Sequence, residues 1–173
     1  PGGPPTGQIP PWLDADAVKF EPGGVISIPM ISGDVDLSSV GTITEVLDGN
    51  RVLAFGHAMY GQGPIDLPMA TGFVHFIVPS LSTSLQMGGT LNVRGALVHD
   101  EGAGVVGRVD VRSTTSPIKV HIHRPADGYT RDFDYQIVQH RALAPILAGY
   151  CGLLSMTSDA DPPDDNTLLM RSV

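Results

Sequence analysis

A single histidine at the end of a short apolar strand is the residue best placed to do chemistry in this 173-residue chain. A turn signal over 48–50 precedes a strand pattern over 51–55, and Gly56 then presents His57 where that strand ends. A strand that delivers an imidazole into a glycine-rich loop suits a general base whose ring must stay accessible. A histidine at such a place can equally close a turn without any chemical role, and spacing alone leaves both interpretations open.

A carboxylate near this histidine is Asp66, in a loop pattern over 61–66 that contains glycine and proline. A tight turn there would bring the carboxylate back toward the ring of His57. A carboxylate beside an imidazole holds the ring in one tautomer and stabilises its protonated form during proton transfer. Asp66 is therefore one candidate partner of His57.

Two histidines on a later strand pattern form a second candidate site. His121 and His123 alternate with apolar residues and share one side of the strand with Lys119, a geometry that a metal could use. A metal site would need a third and a fourth ligand, and no spacing in the sequence points to them. We interpret this side as a solvated polar face that pairs across to Asp132 and Asp134 on the next strand. We predict neither a metal nor a cofactor.

Three other patterns are better interpreted as structural. Asp34 and Asp36 could form a carboxylate dyad, but alternate positions beside a turn are usually plain surface. Glycines over 102–107 match a dinucleotide-binding spacing, yet the segment that follows has a strand pattern and lacks the helix N-terminus that binds phosphate. Cys151 lies in an apolar run and is expected to be a buried structural thiol.

Composition favours an all-β domain with many turns. The chain has 21 glycines and 15 prolines among 173 residues, about 12% and 9% against the usual roughly 7% and 5%, and they are spread between short β-rich runs. The net charge is −8, with Lys19 and Lys119 as the lysines, so nucleic acid and anionic membranes are poor partners. No apolar run is long enough to predict a membrane span. Pro1 in place of a methionine predicts a piece of a longer protein.

The β patterns are short and are joined by residues that form turns. Pro29 places the first of them at an edge or a bulge, because proline cannot donate to a strand ladder. One helix pattern, over 141–156, follows the strands. The predicted strands are 25–31, 40–47, 51–55, 73–78, 91–98, 104–111, 118–123 and 130–138.

These elements predict an all-β fold, a small closed or partly open antiparallel barrel with one C-terminal helix. Four regions follow from the same patterns. They are a Pro/Gly-rich arm or linker over 1–22, the β-barrel domain over 23–140, the C-terminal helix over 141–158, and an acidic loop with the start of a truncated strand over 159–173.

Several short motifs carry a resemblance to a known family. They are Gly33-Asp34-Val35-Asp36-Leu37, Val40-Gly41-Thr42-Ile43-Thr44, Val52-Leu53-Ala54-Phe55-Gly56-His57, Gly63-Pro64-Ile65-Asp66-Leu67-Pro68-Met69, Val78-Pro79-Ser80-Leu81 and Ala103-Gly104-Val105-Val106-Gly107. Together they resemble the SpoIVB peptidase family, specifically its exported bacterial relatives outside spore formers. The resemblance covers about residues 23–156, and the Phe-Gly-His element is its most specific part.

The resemblance implies a serine endopeptidase with a chymotrypsin-like barrel, in which His57 is the catalytic histidine. It favours Asp100, which follows a strand after the histidine, as the acid that orients the ring, with Asp66 as the alternative. The serine of such enzymes stands in a Gly-x-Ser-Gly loop upstream of the histidine, and this chain contains no such loop. Ser32 comes nearest but lacks the leading glycine, so we do not accept it as the nucleophile.

The resemblance therefore implies a histidine-bearing portion that is inactive alone and needs an upstream serine-bearing segment of the same protein. Its substrate would be a protein or peptide, and its location exported, periplasmic or in the cell envelope. The alternative is a non-catalytic β-barrel module that binds protein or peptide by adding a strand at its edge.

If the peptidase interpretation holds, His57 should be exposed at the rim, with one ring nitrogen facing a carboxylate or a backbone carbonyl. A partner would also cover apolar residues of the loop that follows. The candidates for that exposed patch are Met59, Tyr60, Ile65, Leu67 and Met69.

Overall fold

The computed structural model describes residues 9–79, 85–125, 127–158 and 169. Eight strands precede a helix in these residues. The strands are β1 (Val25–Gly33), β2 (Leu37–Leu47), β3 (Arg51–Ala54), β4 (Gly63–Val78), β5 (Leu85–Glu101), β6 (Gly104–Arg108), β7 (Thr115–Arg124) and β8 (Tyr129–Val138), and the helix is α1 (Leu143–Thr157).

Six antiparallel strands close into a ring in the order β1–β2–β3–β6–β5–β4, with β4 returning to β1. β8 and β7 extend the sheet from the end of β1, and α1 packs against both of them. The predicted all-β antiparallel fold with one C-terminal helix is confirmed.

β1 belongs to the ring and to the extension because it changes neighbour along its length. The register with β2 shifts between Pro29 and Ile31, which confirms the bulge predicted from the proline. β1 then meets β8 so closely that a Cβ at Gly33 would lie 2.2 Å from the carbonyl oxygen of Asp134. Asp34 fixes this crossing, since its carboxylate accepts the N–H of Asp134 at 2.7 Å.

The core fills the ring and continues beneath the helix. Phe133 and Tyr135 of β8 lie parallel, with ring centroids 6.2 Å apart, and the Tyr135 hydroxyl is within hydrogen-bond distance of Ser155 Oγ at 2.8 Å. Cys151 is fully buried, as predicted, and burial raises the pKa of its thiol. The other large side chains buried in this core include Ile26, Ile28, Ile31, Ile43, Val52, Leu67, Met69, Leu97, Val105 and Leu147.

β4 and β5 are much longer than predicted. The loop expected over 61–66 is largely strand, because residues from Gly63 onward pair with the far end of β5. Leu67 and Met69 are fully buried, so the prediction that they belong to an exposed patch is wrong. The space for Met69 comes from Gly107, where a Cβ would lie 2.2 Å from the Met69 sulfur.

Turn residues connect consecutive antiparallel strands into hairpins. They join β2 to β3 across 48–50, β5 to β6 across the glycine-spaced segment, and β7 to β8. The described part of the arm, residues 9–22, forms turns and contains no helix or strand, and Asn92 and Arg94 of β5 hold it by hydrogen bonds to 15–16. The remaining predictions for 1–8 and for 159–173, apart from Leu169, lie outside the described residues.

Candidate active site

His57 follows a sharp turn out of the ring. β3 ends at Ala54, and the next two residues, Phe55 and Gly56, both have left-handed backbone conformations with φ of 72° and 70°. Glycine adopts this conformation freely, whereas phenylalanine does so at a cost of about 1–2 kcal/mol. The two successive left-handed residues take the chain out of the sheet, so that the imidazole stands at the rim.

Packing on a neighbouring strand holds the strained phenylalanine. The Phe55 ring lies directly over Gly41 of β2, where a Cβ would come within 2.8 Å of the ring. The Phe55 N–H donates to the carbonyl of Thr42 at 3.0 Å. Gly41 thus makes room for the Phe55 ring, and this contact offsets the cost of the left-handed backbone at Phe55.

The ring of His57 is exposed and has a defined orientation. Its Nδ1 lies 2.8 Å from the carbonyl oxygen of Ala58, and its edge meets the Phe55 ring at 82° with centroids 5.8 Å apart. Since a carbonyl can only accept, Nδ1 carries the hydrogen, and the neutral ring has its lone pair on Nε2. An exposed imidazole in this tautomer can accept a proton at Nε2. The predicted exposure and the ring nitrogen facing a carbonyl are confirmed.

Asp100 anchors the loop that follows His57. Its side chain is fully buried, and its carboxylate accepts the backbone N–H groups of Met59 at 2.8 Å, Tyr60 at 2.6 Å and Gly61 at 2.9 Å. Three donors on one carboxylate compensate its removal from water. Both oxygens are therefore committed to the loop backbone.

The two predicted acids have partners other than the His57 ring. Asp66 is exposed on β4 and accepts the N–H of Thr114 at 3.2 Å, which fastens the segment between β6 and β7 to the ring of strands. Within the described residues, His57 has no hydrogen bond or ion pair with Asp66 or Asp100. The structure therefore brings Asp100 to the same loop as His57 and leaves Asp66 bonded elsewhere. Catalytic roles for the two carboxylates stay predictions.

Tyr60 lies between the anchored loop and β1. Its hydroxyl donates to the sulfur of Met30 at 3.3 Å. Partial burial, and then the negative charge of Asp100, raise the pKa of the Tyr60 hydroxyl above its ordinary value. The phenol therefore stays protonated at neutral pH and can serve as a donor.

His140 ties the same loop to the helix, a connection that the sequence patterns did not indicate. Its Nδ1 accepts the N–H of Leu143 in the first turn of α1 at 3.3 Å, so Nε2 carries the hydrogen and donates to Gln62 Oε1 at 2.9 Å. The His140 ring also lies near the Tyr60 ring, with centroids 6.1 Å apart. The histidine directly before the helix pattern over 141–156 is the signal that could have suggested this contact.

The second candidate site consists of cross-strand pairs, as predicted. His121 lies opposite Asp132 and pairs with it, and Lys119 pairs with Asp134 at 3.2 Å. Within the described residues, no group of three or more His, Cys, Asp or Glu side chains is arranged to hold a metal ion.

The two carboxylates of the first turn also have structural surroundings. Asp34 bonds to the backbone of β8, as described above. Burial raises the pKa of the Asp36 carboxyl, and a backbone hydrogen bond from Gly33 partly opposes that shift. These contacts place both carboxylates in the β1–β2 connection.

Two open depressions occur elsewhere on the surface. One, of about 300 Å³, lies beneath the arm and is lined by residues that include Lys19, Phe20 and Arg94. The other, of about 260 Å³, is lined by residues that include Ser32 and Arg112. His57 lines neither of them, and its ring is exposed.

No family model, curated protein or solved structure matches this chain. Among the helices of the described residues, none has the length and hydropathy needed to cross a membrane.

Proposed function

We propose that this chain is the histidine-bearing portion of a SpoIVB-like serine endopeptidase, with the nucleophilic serine supplied by an upstream segment of the same protein. The observation that carries the proposal is the His57 ring, which is exposed and holds its Nδ1 hydrogen on the carbonyl of Ala58. This arrangement leaves the lone pair of Nε2 available at the rim. The substrate is a protein or peptide, and the protein is exported, in the periplasm or in the cell envelope.

In this reaction the incoming serine hydroxyl gives its proton to His57 Nε2 as its oxygen bonds to the peptide carbonyl carbon. The imidazolium then returns the proton to the departing amine, and the C–N bond breaks. Water then gives a proton to His57 Nε2 as its oxygen bonds to the acyl carbon, and the imidazolium returns that proton to the serine oxygen as the acyl–oxygen bond breaks. His57 serves as base and then as acid in each half of the reaction.

The carbonyl of Ala58 takes over part of the work of a triad carboxylate. It accepts the Nδ1 hydrogen at 2.8 Å and so selects the tautomer that leaves Nε2 as a base. A carbonyl dipole stabilises the imidazolium less than a full negative charge would, because it carries only a partial charge. Asp100 acts at one remove, by holding the backbone of Met59, Tyr60 and Gly61 in place.

The test requires the longer protein that contains both this chain and its upstream segment. His57→Ala should lower kcat/KM for casein or a peptide library by at least about 10³-fold, since a serine without its base loses most of the covalent route. His121→Ala is the matched control, because His121 is also exposed but pairs with Asp132 on another strand. It should leave turnover unchanged.

Two results would contradict the proposal. One is a longer protein that hydrolyses peptides equally well with and without His57. The other concerns labelling by a fluorophosphonate probe, for which the proposal requires a serine that reacts in the wild-type longer protein and no longer reacts in His57→Ala. Finding no such serine would contradict the proposal. The isolated 173-residue chain should show no turnover in the same assay, because it lacks the nucleophile.

A further inference from the structure

The outer side of β7 carries backbone groups that no strand satisfies. The sheet order ends at β7, which pairs with β8 on one side, and within residues 9–79, 85–125 and 127–158 no strand pairs with its other side. A row of unpaired N–H and C=O groups is a template for another strand. β7 thus offers a strand-sized binding surface that is separate from the His57 loop.

The odd-numbered residues of β7 direct their backbone groups toward this free edge. Gln139 N–H donates to the carbonyl of Thr114 at 3.5 Å, which continues the β7–β8 register and assigns the even-numbered residues to β8. Pro117 agrees with this assignment, since a proline in a sheet is tolerated where its missing N–H would face outward. The residues whose backbone groups face the edge are therefore Thr115, Pro117, Lys119, His121 and His123. The Thr115 carbonyl accepts the side-chain amide of Gln139 at 3.4 Å.

The even-numbered side chains form an apolar row that the monomer covers incompletely. Ile118, Val120 and Ile122 pack against the core but stay half-buried, whereas the alternate side chains are exposed. A strand added at the edge would cover the open flank of this row. The added strand should present apolar side chains on that face and polar ones on the other.

We propose that this strand is β7 of a second copy of the chain, paired antiparallel about a two-fold axis at Val120. In this register Ile118 lies opposite Ile122 of the other copy, and Val120 lies opposite itself. All residues over 116–124 find partners. The result is one continuous sheet with the order β8–β7–β7–β8.

The backbone groups match in the same register. Lys119 of one copy and His121 of the other exchange both ladder hydrogen bonds. The symmetry-related pair, His121 of the first copy and Lys119 of the second, does the same. Pro117 lies opposite His123 and accepts one hydrogen bond there. Val120 then sits in a non-hydrogen-bonded pair, where opposing Cα atoms approach to about 4.5 Å.

Charge repulsion disfavours one neighbouring register. A register centred on Lys119 would place two lysines directly opposite each other, which destabilises a strand pair. The register centred on Val120 places Lys119 opposite a histidine that is already paired with Asp132, while Lys119 itself pairs with Asp134. Lys119 and His121 therefore each keep their own carboxylate.

The helices add contact area on one face of the joined sheet. A two-strand junction is smaller than the roughly 1,200–2,000 Å² of a standard interface. α1 packs on β7 and β8 and leaves three large apolar side chains exposed. The two-fold axis brings the α1 helices of the two copies to the same face of the joined sheet. The exposed side chains are Ile146, Tyr150 and Leu153.

Sedimentation of the full chain tests the association. The weight-average mass should rise with concentration toward twice the monomer mass of 18.2 kDa. His121→Pro should abolish this rise, because it removes an outward-facing N–H without removing a bond to β8. His121→Ala is the matched control that keeps the N–H, and it should still associate. A wild-type chain that stays monomeric would overturn the proposal, as would equal association of the two variants with native circular dichroism.

Cysteine cross-linking tests the register. Val120→Cys should form an intermolecular disulfide under mild oxidation, since the two positions face each other at the axis. Wild type is the background control, because its Cys151 is buried. Ile118→Cys alone should not cross-link, whereas a mixture of Ile118→Cys and Ile122→Cys chains should. Efficient self-cross-linking at Ile118 without cross-linking at Val120 would refute this register, and capture of a different protein's strand by a monomeric chain would refute the second copy as occupant.

Discussion

The Asp100 carboxylate provides the sharpest test of how the His57 loop is held. Asparagine at this position has nearly the same shape but replaces one acceptor oxygen by an NH₂ donor. The side chain can keep its oxygen toward the two donors Tyr60 and Gly61, which share Oδ2. The amide nitrogen then faces the N–H of Met59, so one hydrogen bond is lost and two donors oppose each other.

The expected loss is about 2–4 kcal/mol in the free energy of unfolding. A hydrogen bond to a charged group contributes about 1.5–3 kcal/mol, and a buried donor left without a partner costs about 1–3 kcal/mol. Part of this cost is relieved if the loop backbone moves, because it ends at the surface around His57. Since a domain of this size has about 5–15 kcal/mol of stability, the variant should remain folded at room temperature.

Two measurements separate a loop anchor from a general loss of stability. Urea unfolding gives the change in free energy, and amide hydrogen exchange in the native state reports on Met59, Tyr60 and Gly61 individually. Asp110→Asn is the matched control, because Asp110 is an exposed carboxylate that pairs with Arg108. It should leave the unfolding midpoint and the loop amides close to wild type.

An Asp100→Asn variant that is as stable as wild type, or whose loop amides keep their native protection, would contradict an anchoring role of Asp100. In the longer protein, the variant should also lower kcat, because a loosened loop misplaces His57. Unchanged stability together with a large loss of kcat would instead favour the direct ring-orienting role that the family resemblance implies.

Three further predictions concern other contacts of the same fold. Gly41→Ala should destabilise the chain by about 1–3 kcal/mol in urea unfolding, because its Cβ would lie 2.8 Å from the Phe55 ring. An unchanged unfolding midpoint would show that the ring can move freely. His140→Ala should cost about 0.5–2 kcal/mol and increase exchange at the Leu143 amide, since this N–H at the start of α1 loses its acceptor. Exchange that stays native would argue against that role of His140. Cys151 should resist iodoacetamide at pH 8 until urea unfolds the chain, because burial both shields the thiol and raises its pKa. Rapid alkylation of the native protein would contradict its burial.

The sequence determined which segments are strands and where several of them turn. Alternating apolar residues between glycine, proline and aspartate turns carry that information locally, because side chains on a strand alternate between its two faces. The bulge at Pro29 and the exposure of His57 at a strand end were predictable for the same local reason.

The lengths of β4 and β5 were not predictable from these patterns. Residues 67–72 of β4 are all buried, so they read as a continuous run without alternation. Gly63 and Pro64 at its start are typical turn residues, yet they pair here with Asp100 and His99. Only the presence of β5 alongside converts this stretch into strand.

What the tertiary structure alone decided is the partner of each functional group. The resemblance implied His57 as a base and Asp100 or Asp66 as its acid. In the folded chain, Asp100 instead accepts three backbone N–H groups, and the His57 ring bonds to the carbonyl of Ala58. Likewise, the role of Gly41 depends on the Phe55 ring that packs over it from the neighbouring strand. Such pairings depend on backbone groups and cross-strand distances that exist only after the ring closes, whereas a sequence pattern records only the side chains and their spacing along one chain.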